Sequence, residues 1–270
     1  MRAPDFSADL YRDITGFAED TPPWVHSAAE VGTDGGLLLF AALFVAGWWR
    51  ARGRDARSMG LALAAPFAVV AAYLVSEVSK TFVQEERPCR AVAGAVHIAA
   101  CPSPGDWSFP SNHATIAAAS AAAIVVAWRA LAPLVLPLAA LMAFSRVFVG
   151  VHYPHDVAAG FLVGVVVAPA AALVLVAVSR RPVEALRGVS AGAALLGAGP
   201  VTAPAASLPG ASMPGAPGTA AGGVQRGVPV HAGAASVRPG GGGPDAPVTA
   251  PEVTMPDVMG GLTRRGGPLP

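Results

Sequence analysis

Residues 157–178 read VAAGFLVGVVVAPAAALVLVAV, 22 positions without an acid, a base or an amide. A helix rises about 1.5 Å per residue, so the run reaches about 33 Å and matches the hydrocarbon thickness of a bilayer. It is therefore predicted to be a membrane-spanning helix. Upstream, residues 59–78 form a second run of sufficient length, while residues 35–49, 114–128 and 131–144 reach it by borrowing flanking positions. Composition points the same way: 53% of residues are hydrophobic and 13% charged, against about 25% charged in an ordinary soluble domain. A formal net charge of +1 provides no global basic excess for nucleic acid. The predicted fold class is all-α, a polytopic transmembrane helix bundle of five spans, with an N-terminal amphipathic helix and a disordered C-terminal tail.

Three regions follow. Residues 1–30 are an amphipathic or interfacial segment, in which Phe6, Leu10, Ile14 and Phe17 recur at helical spacing among Asp5, Asp9, Arg12 and Asp13. This apolar stripe fits either a membrane surface or a bundle flank. No basic n-region with an adjoining apolar core precedes it, so the first span is expected to act as the insertion signal. Residues 31–187 hold the membrane domain, with Asp34 near one membrane surface. Residues 188–270 are rich in Gly, Pro and Ala, lack helical periodicity, and are expected to be a disordered cytoplasmic tail.

Basic residues orient the spans. Arg50, Arg52, Arg54 and Arg57 follow the first run, Arg129 follows the third, and Arg180, Arg181 and Arg187 follow the last. Cytoplasmic loops are enriched in Lys and Arg, so these loops are expected inside. Residues 80–112 and 147–156 then share the outer face of the plasma membrane.

Those outer stretches carry the chemistry. Lys80 is followed after six residues by Arg87-Pro88; then come Pro110-Ser111-Asn112-His113; then Ser145-Arg146, five residues, His152, three residues and Asp156. Charge costs roughly 2.5 to 3.5 kcal/mol per residue at mid-span, so cations clustered at span ends suggest function, and cations there suit an anionic group. The ordered triple resembles the three signatures of the type 2 phosphatidic acid phosphatase superfamily, and its local sequences look like those of bacterial undecaprenyl-diphosphate phosphatases. The resemblance extends over roughly residues 34–178. Asn112 stands where the commonest second signature has Gly, and five spans are found where the family core has six helices.

The resemblance implies a lipid phosphatase. Lys80, Arg87 and Arg146, with Ser111 and the Asn112 backbone N–H, would hold the phosphoryl oxygens. His152 would attack phosphorus and form a phosphohistidine, Asp156 would accept a hydrogen bond from its other ring nitrogen, and His113 would protonate the leaving oxygen. The implied substrate is a polyprenyl diphosphate recycled for cell-wall synthesis. Phosphatidic acid and phosphatidylglycerol phosphate need similar chemistry, and a catalytically silent lipid-phosphate carrier would use the same cations. His155 has no role in the resemblance and is expected at the surface or substrate rim. Glu77, Glu85, Glu86 and Asp106 either face water or tune their neighbours.

His152, His155, Asp156 and His113 also form a compact set of metal-ligand types. Three nearby cations oppose a divalent ion, so no metal or other cofactor is expected. Cys89 and Cys101 are the two cysteines of the chain, and both lie in the loop expected outside, as a disulfide or as two thiols. Expected partners are the lipid phosphate and membrane lipids, without nucleic acid. Gly160 and Gly164 mark a helix-packing face.

Overall fold

The computed structural model describes residues 3–200. Among them the chain forms helices α1 (Asp5–Glu19), α2 (Pro23–Ala51), α3 (Ala56–Val83), α4 (Pro88–Ala91), α5 (Asn112–Ala127), α6 (Ala132–Phe148), α7 (Pro154–Arg187) and α8 (Ser190–Leu196), with a 3-10 turn at Arg129–Leu131 and no strand. α2, the α3–α4 stretch, α6 with its preceding turn, and α7 are long and apolar enough to cross a membrane. Large apolar side chains such as Leu38, Phe67, Leu141, Leu162 and Val174 stand exposed along them. In water such a surface would be a liability; in lipid it is solvated.

The third expected span is shorter than the rest. α5 has 16 residues, about 24 Å at 1.5 Å per residue, below the roughly 30 Å hydrocarbon core. It sits against α2, α3, α6 and α7 and is buried along most of its length, from Ala114 to Ile124. A central helix need not match the bilayer because protein, not lipid, surrounds it.

Its alanines permit close approach, and Gly160 and Gly164 of α7 complete the fit. A Cβ at Gly164 would lie 2.6 Å from the Thr115 carbonyl oxygen, and one at Gly160 would collide with that of Ser111. The α5–α7 contact is thus backbone against backbone, the small-residue mode of membrane helix packing.

The N-terminal helix divides its faces unevenly. Ser7, Tyr11, Thr15 and Ala18 form the buried face of α1, while Phe6, Leu10 and Phe17 are 69%, 45% and 66% exposed. Three of the four stripe residues therefore face away from the bundle, while Ile14 packs with Tyr11 against the buried cluster of Val92, Val147 and Tyr153. Residues 23–30, grouped with this segment on sequence, instead belong to the first turns of α2.

The reading of disorder from Val189 onward also needs correction at its start. α8 forms there because Leu196 buries against Met59 and Val183, and its carbonyls accept from Arg52 and Arg187. Residues 201–270 of the expected tail lie outside the described residues.

Gly164→Val would force α5 and α7 apart. Overpacking of this kind costs about 1 to 3 kcal/mol, so a lower thermal midpoint in detergent and a reduced folded yield are expected by fluorescence-detected size exclusion.

Candidate active site

Two short turns build the centre of the site. After α6, Gly150 adopts φ +83° against the His97 backbone, where a Cβ would lie 2.7 Å from His97 Cα; only glycine takes that conformation cheaply. The Val151 and His152 N–H groups then donate to the Arg146 carbonyl. This leaves His152 between two helices, 1% exposed. Pro154 at the first position of α7 and Asp156 at the third begin the next helix, with Asp156 Oδ2 accepting from the Tyr153 N–H at 2.8 Å.

Arg87 Nη1 lies 2.9 Å from His152 Nε2. Guanidinium can only donate, so Nε2 must be the lone-pair nitrogen and Nδ1 the protonated one. Burial first, then the charges of Arg87, Arg146, Lys80 and His113, hold His152 well below the usual histidine range. The same influences identify which groups share its surroundings. Four side chains from three separate signatures converge there. His152 is a neutral imidazole with its lone pair directed at a cation.

Arg87 is fixed on its other edge by the loop before α5. Its Nε donates to the Asp106 carbonyl and its Nη2 to Asp106 Oδ1, both at 2.9 Å. Lys80 Nζ pairs with Asp106 at 3.6 Å and with Glu77 at 3.3 Å. Burial raises the Asp106 carboxyl, but the Arg87 hydrogen bond and the charges of Arg87 and Lys80 outweigh it and hold the group below its ordinary range. The Asn112 side chain is tied to α3, accepting from Ser76 and donating to Glu77. It bridges helices and leaves its backbone N–H at the first turn of α5.

That turn offers more donors. Ser111 precedes α5 with no side-chain capping bond, and its N–H donates to the Asp156 carbonyl, clamping α5 to α7. Ser111 Oγ and Arg146 Nε are buried without a hydrogen-bond partner. Buried polar atoms are seldom left so. A helix N-terminus, an unpartnered hydroxyl and an unpartnered guanidinium edge, beside Arg87 and Lys80, are what an anion would satisfy. His113 follows on the same turn, 34% exposed, with Nε2 3.9 Å from Asp34 Oδ1 of α2.

Residues 61–180 match the PAP2 superfamily. The chain carries a PAP2 domain. Within curated proteins it is 35% identical over 111 residues to an undecaprenyl-diphosphatase of Sulfolobus acidocaldarius, covering 40% of this chain and 51% of that protein. It is 38% identical over 96 residues to a decaprenylphosphoryl-5-phosphoribose phosphatase of Mycobacterium tuberculosis, covering 36% and 51%. The chain thus spans about half the length of the curated relatives it matches. A solved structure, Aquifex aeolicus LpxE, shares the fold with a TM-score of 0.51 at 21% identity, over 63% of this chain and 98% of that one. The protein is a multi-pass membrane protein built around this domain.

The candidate site differs from the sequence expectation at Asp156, Ser108 and His155. Asp156 Oδ2 stands 3.5 Å from His152 Nδ1, long for a hydrogen bond. Ser108, fully buried, donates to Asp156 Oδ2 at 2.5 Å and lies 3.4 Å from His152 Nδ1, so the hydroxyl joins carboxylate and imidazole. No motif marks Ser108; the loop fold brings it in when its N–H donates to the Glu85 carbonyl. His155, expected at the surface or the substrate rim, is 18% exposed and tied into the buried network. It stacks with Phe109 and Tyr153, with Nε2 3.0 Å from Glu85 Oε2 and 3.3 Å from Asp156 Oδ1. Glu85 is 3% exposed, a buried partner of His155.

Glu85, His155 and Asp156 offer ligand atoms within 4.8 Å of one another. Within the trio His155 Nε2 faces both carboxylates, so a protonated ring offsets one of the two negative charges. Cys89 and Cys101 are bridged, with Cα atoms 6.0 Å apart, closing the loop behind Arg87. A cross-link over a loop this short stabilises by roughly 3 kcal/mol in the chain-entropy model.

Because burial and surrounding cations keep His152 neutral, histidine-selective ¹⁵N NMR on the detergent-solubilised protein should show no titration at His152 as pH falls from about 7.5 to about 6, where a free imidazole protonates. A half-protonated signal near pH 6.5 would contradict the assigned environment.

Proposed function

We propose that this protein hydrolyses a polyprenyl diphosphate to the monophosphate and inorganic phosphate through a phosphohistidine. The observation that carries the reading is the neutral His152, its Nε2 lone pair turned to Arg87 and its Nδ1–H backed by Ser108 and Asp156. In the reaction, Nε2 attacks the terminal phosphorus while the bond to the bridging oxygen breaks. His113 donates its proton to the departing lipid phosphate, then accepts one from the water that attacks the phosphohistidine and releases phosphate. Lys80, Arg87, Arg146, Ser111 and the Asn112 N–H hold the three equatorial oxygens, where transition-state charge spreads. Asp156, through Ser108, balances the cation formed on His152.

An apolar groove supports an amphiphilic substrate. A cavity of about 370 Å³ between α2 and α6 is lined by Val25, Ala29, Leu138, Leu141 and Phe148. Thr33 and Ser145, bonded to each other across it at 2.6 Å, adjoin Asp34 and Arg146 in the chain. A prenyl segment lying there would place its phosphates at the cationic end. The curated relatives act on polyprenyl-linked phosphates by their names, which favours an isoprenoid over a diacylglycerol tail. The arginine-rich opposite end, where Arg187 donates to the Arg54 and Ala51 carbonyls, supports the outward orientation of the site through the bias of basic residues toward the cytoplasm.

Purified protein supplied with undecaprenyl diphosphate, phosphatidate and phosphatidylglycerol phosphate should release phosphate fastest from the first. His152→Ala should abolish release, and His113→Ala should slow it by about 10² to 10⁴, the usual worth of a general acid. Tight binding of the lipid with no turnover by the wild-type protein would instead identify a carrier. Turnover should also survive exhaustive chelation with EDTA.

A further inference from the structure

α1 lies outside residues 61–180, the segment that matches the superfamily, yet it reaches the charged network behind His152. Ser7 is fully buried. Its Oγ lies 2.7 Å from His155 Nδ1 and accepts from the His155 backbone N–H at 3.3 Å. α1 is held in that place by Tyr11, whose hydroxyl donates to the Gly150 carbonyl at 2.9 Å and lies 3.2 Å from that of Val96.

The His155 ring stacks with two aromatic neighbours, its centroid 5.7 Å from Phe109 and 5.5 Å from Tyr153 at interplanar angles of 25° and 29°. Stacking fixes its plane but not which edge points where: a flip about the Cβ–Cγ bond exchanges nitrogen for carbon at two ring positions. The Ser7 hydroxyl breaks that tie. With Nδ1 on Ser7, Nε2 faces Glu85 Oε2 and Asp156 Oδ1; after a flip, carbon would face both carboxylates. Asp156 Oδ1 is buried and has no hydrogen-bond partner, and among the described residues its ion-pair partner is His155. The other oxygen, Oδ2, takes Ser108 and the Tyr153 N–H on the side of His152.

We infer that Ser7 and His155 are positioning residues that hold Asp156 with Oδ2 toward Ser108 and His152, so that an N-terminal helix outside the matched domain completes the site. The inference rests on the role proposed above for Asp156. Without the Ser7 hydroxyl the ring loses its preferred edge, and the carboxylate loses a fixed partner at Oδ1. Ser7 and His155 bond to each other and, through His155, to Glu85 and Asp156, and to none of the proposed phosphate-binding side chains, so the chemical step suffers while substrate binding does not.

The test uses the full chain in detergent or nanodiscs, with undecaprenyl diphosphate as substrate. Ser7→Ala should lower kcat about tenfold, the worth of one such hydrogen bond, with KM unchanged. Ser7→Thr, which keeps the hydroxyl, should return kcat to within about twofold of wild type, and His155→Gln should reproduce the loss. Thr15→Val removes a buried α1 hydroxyl that bonds only within its own helix and should leave kcat unaltered; an equal loss there would show that any loosening of α1 suffices and overturn the inference. Wild-type kcat in both Ser7→Ala and His155→Gln would also overturn it. If Ser7→Ala does not fold, His155→Gln decides, a rise in KM alone counting against positioning. His152→Ala run in parallel separates the two readings: a dead His152→Ala beside an active Ser7→Ala removes only this inference, while an active His152→Ala removes the reaction scheme beneath it.

Discussion

The close approach of α5 and α7 is the constraint on which the site depends. With glycine at 160 and 164, two backbones touch where any side chain would collide, and the Ser111 N–H reaches the Asp156 carbonyl. That bond links the start of one helix to the start of another. It places Ser111, Asn112 and His113 beside His152 and Asp156, although about 40 residues separate them in the chain. In lipid such a contact cannot rely on the hydrophobic effect, because the surrounding tails are as apolar as the side chains. Dispersion between closely packed backbones and the polar clamp at the helix ends replace it.

Electrostatics explains why so many charges tolerate burial at this end. Lys80 and Arg87 are 6% and 4% exposed, and each is compensated by Asp106, with Glu77 adding to Lys80. His152 escapes the cost by remaining neutral. Arg146 Nε and Ser111 Oγ carry the remaining deficit, polar atoms whose hydration was given up without replacement. A bound phosphoryl group would supply those acceptors. Preorganised donors of this kind need no rearrangement during reaction, which is why they favour a charged transition state over water.

The helix in front of the domain serves two environments at once. Its exposed Phe6, Leu10 and Phe17 suit the acyl boundary, and its buried Ser7 and Tyr11 meet His155 in the first turn of α7 and the Gly150 carbonyl in the turn before it. A hydrophobic stripe read from sequence locates only the first of these surfaces. The second consists of a serine, a tyrosine, a threonine and an alanine, whose importance comes from what they touch.

Much of the fold was legible in the linear chain because length and apolarity govern what can cross a bilayer, and the runs at 59–78 and 157–178 meet that condition unaided. The spacing of Lys80, Arg87, His113, Arg146, His152 and Asp156 likewise resembles the superfamily's three signatures, and that resemblance pointed to phosphate chemistry. Ser108, Glu85, Asp106 and Ser7 had no such signature. Each makes a contact with a residue remote in sequence: Ser108 with Asp156, Glu85 and Ser7 with His155, Asp106 with Arg87. Sequence alone determined which elements could lie in the membrane and which side chains could do the chemistry. Only the tertiary structure decided which polar groups support them, because hydrogen bonding depends on distances of a few ångströms that helix packing and loop closure set, and that no local pattern of residues encodes.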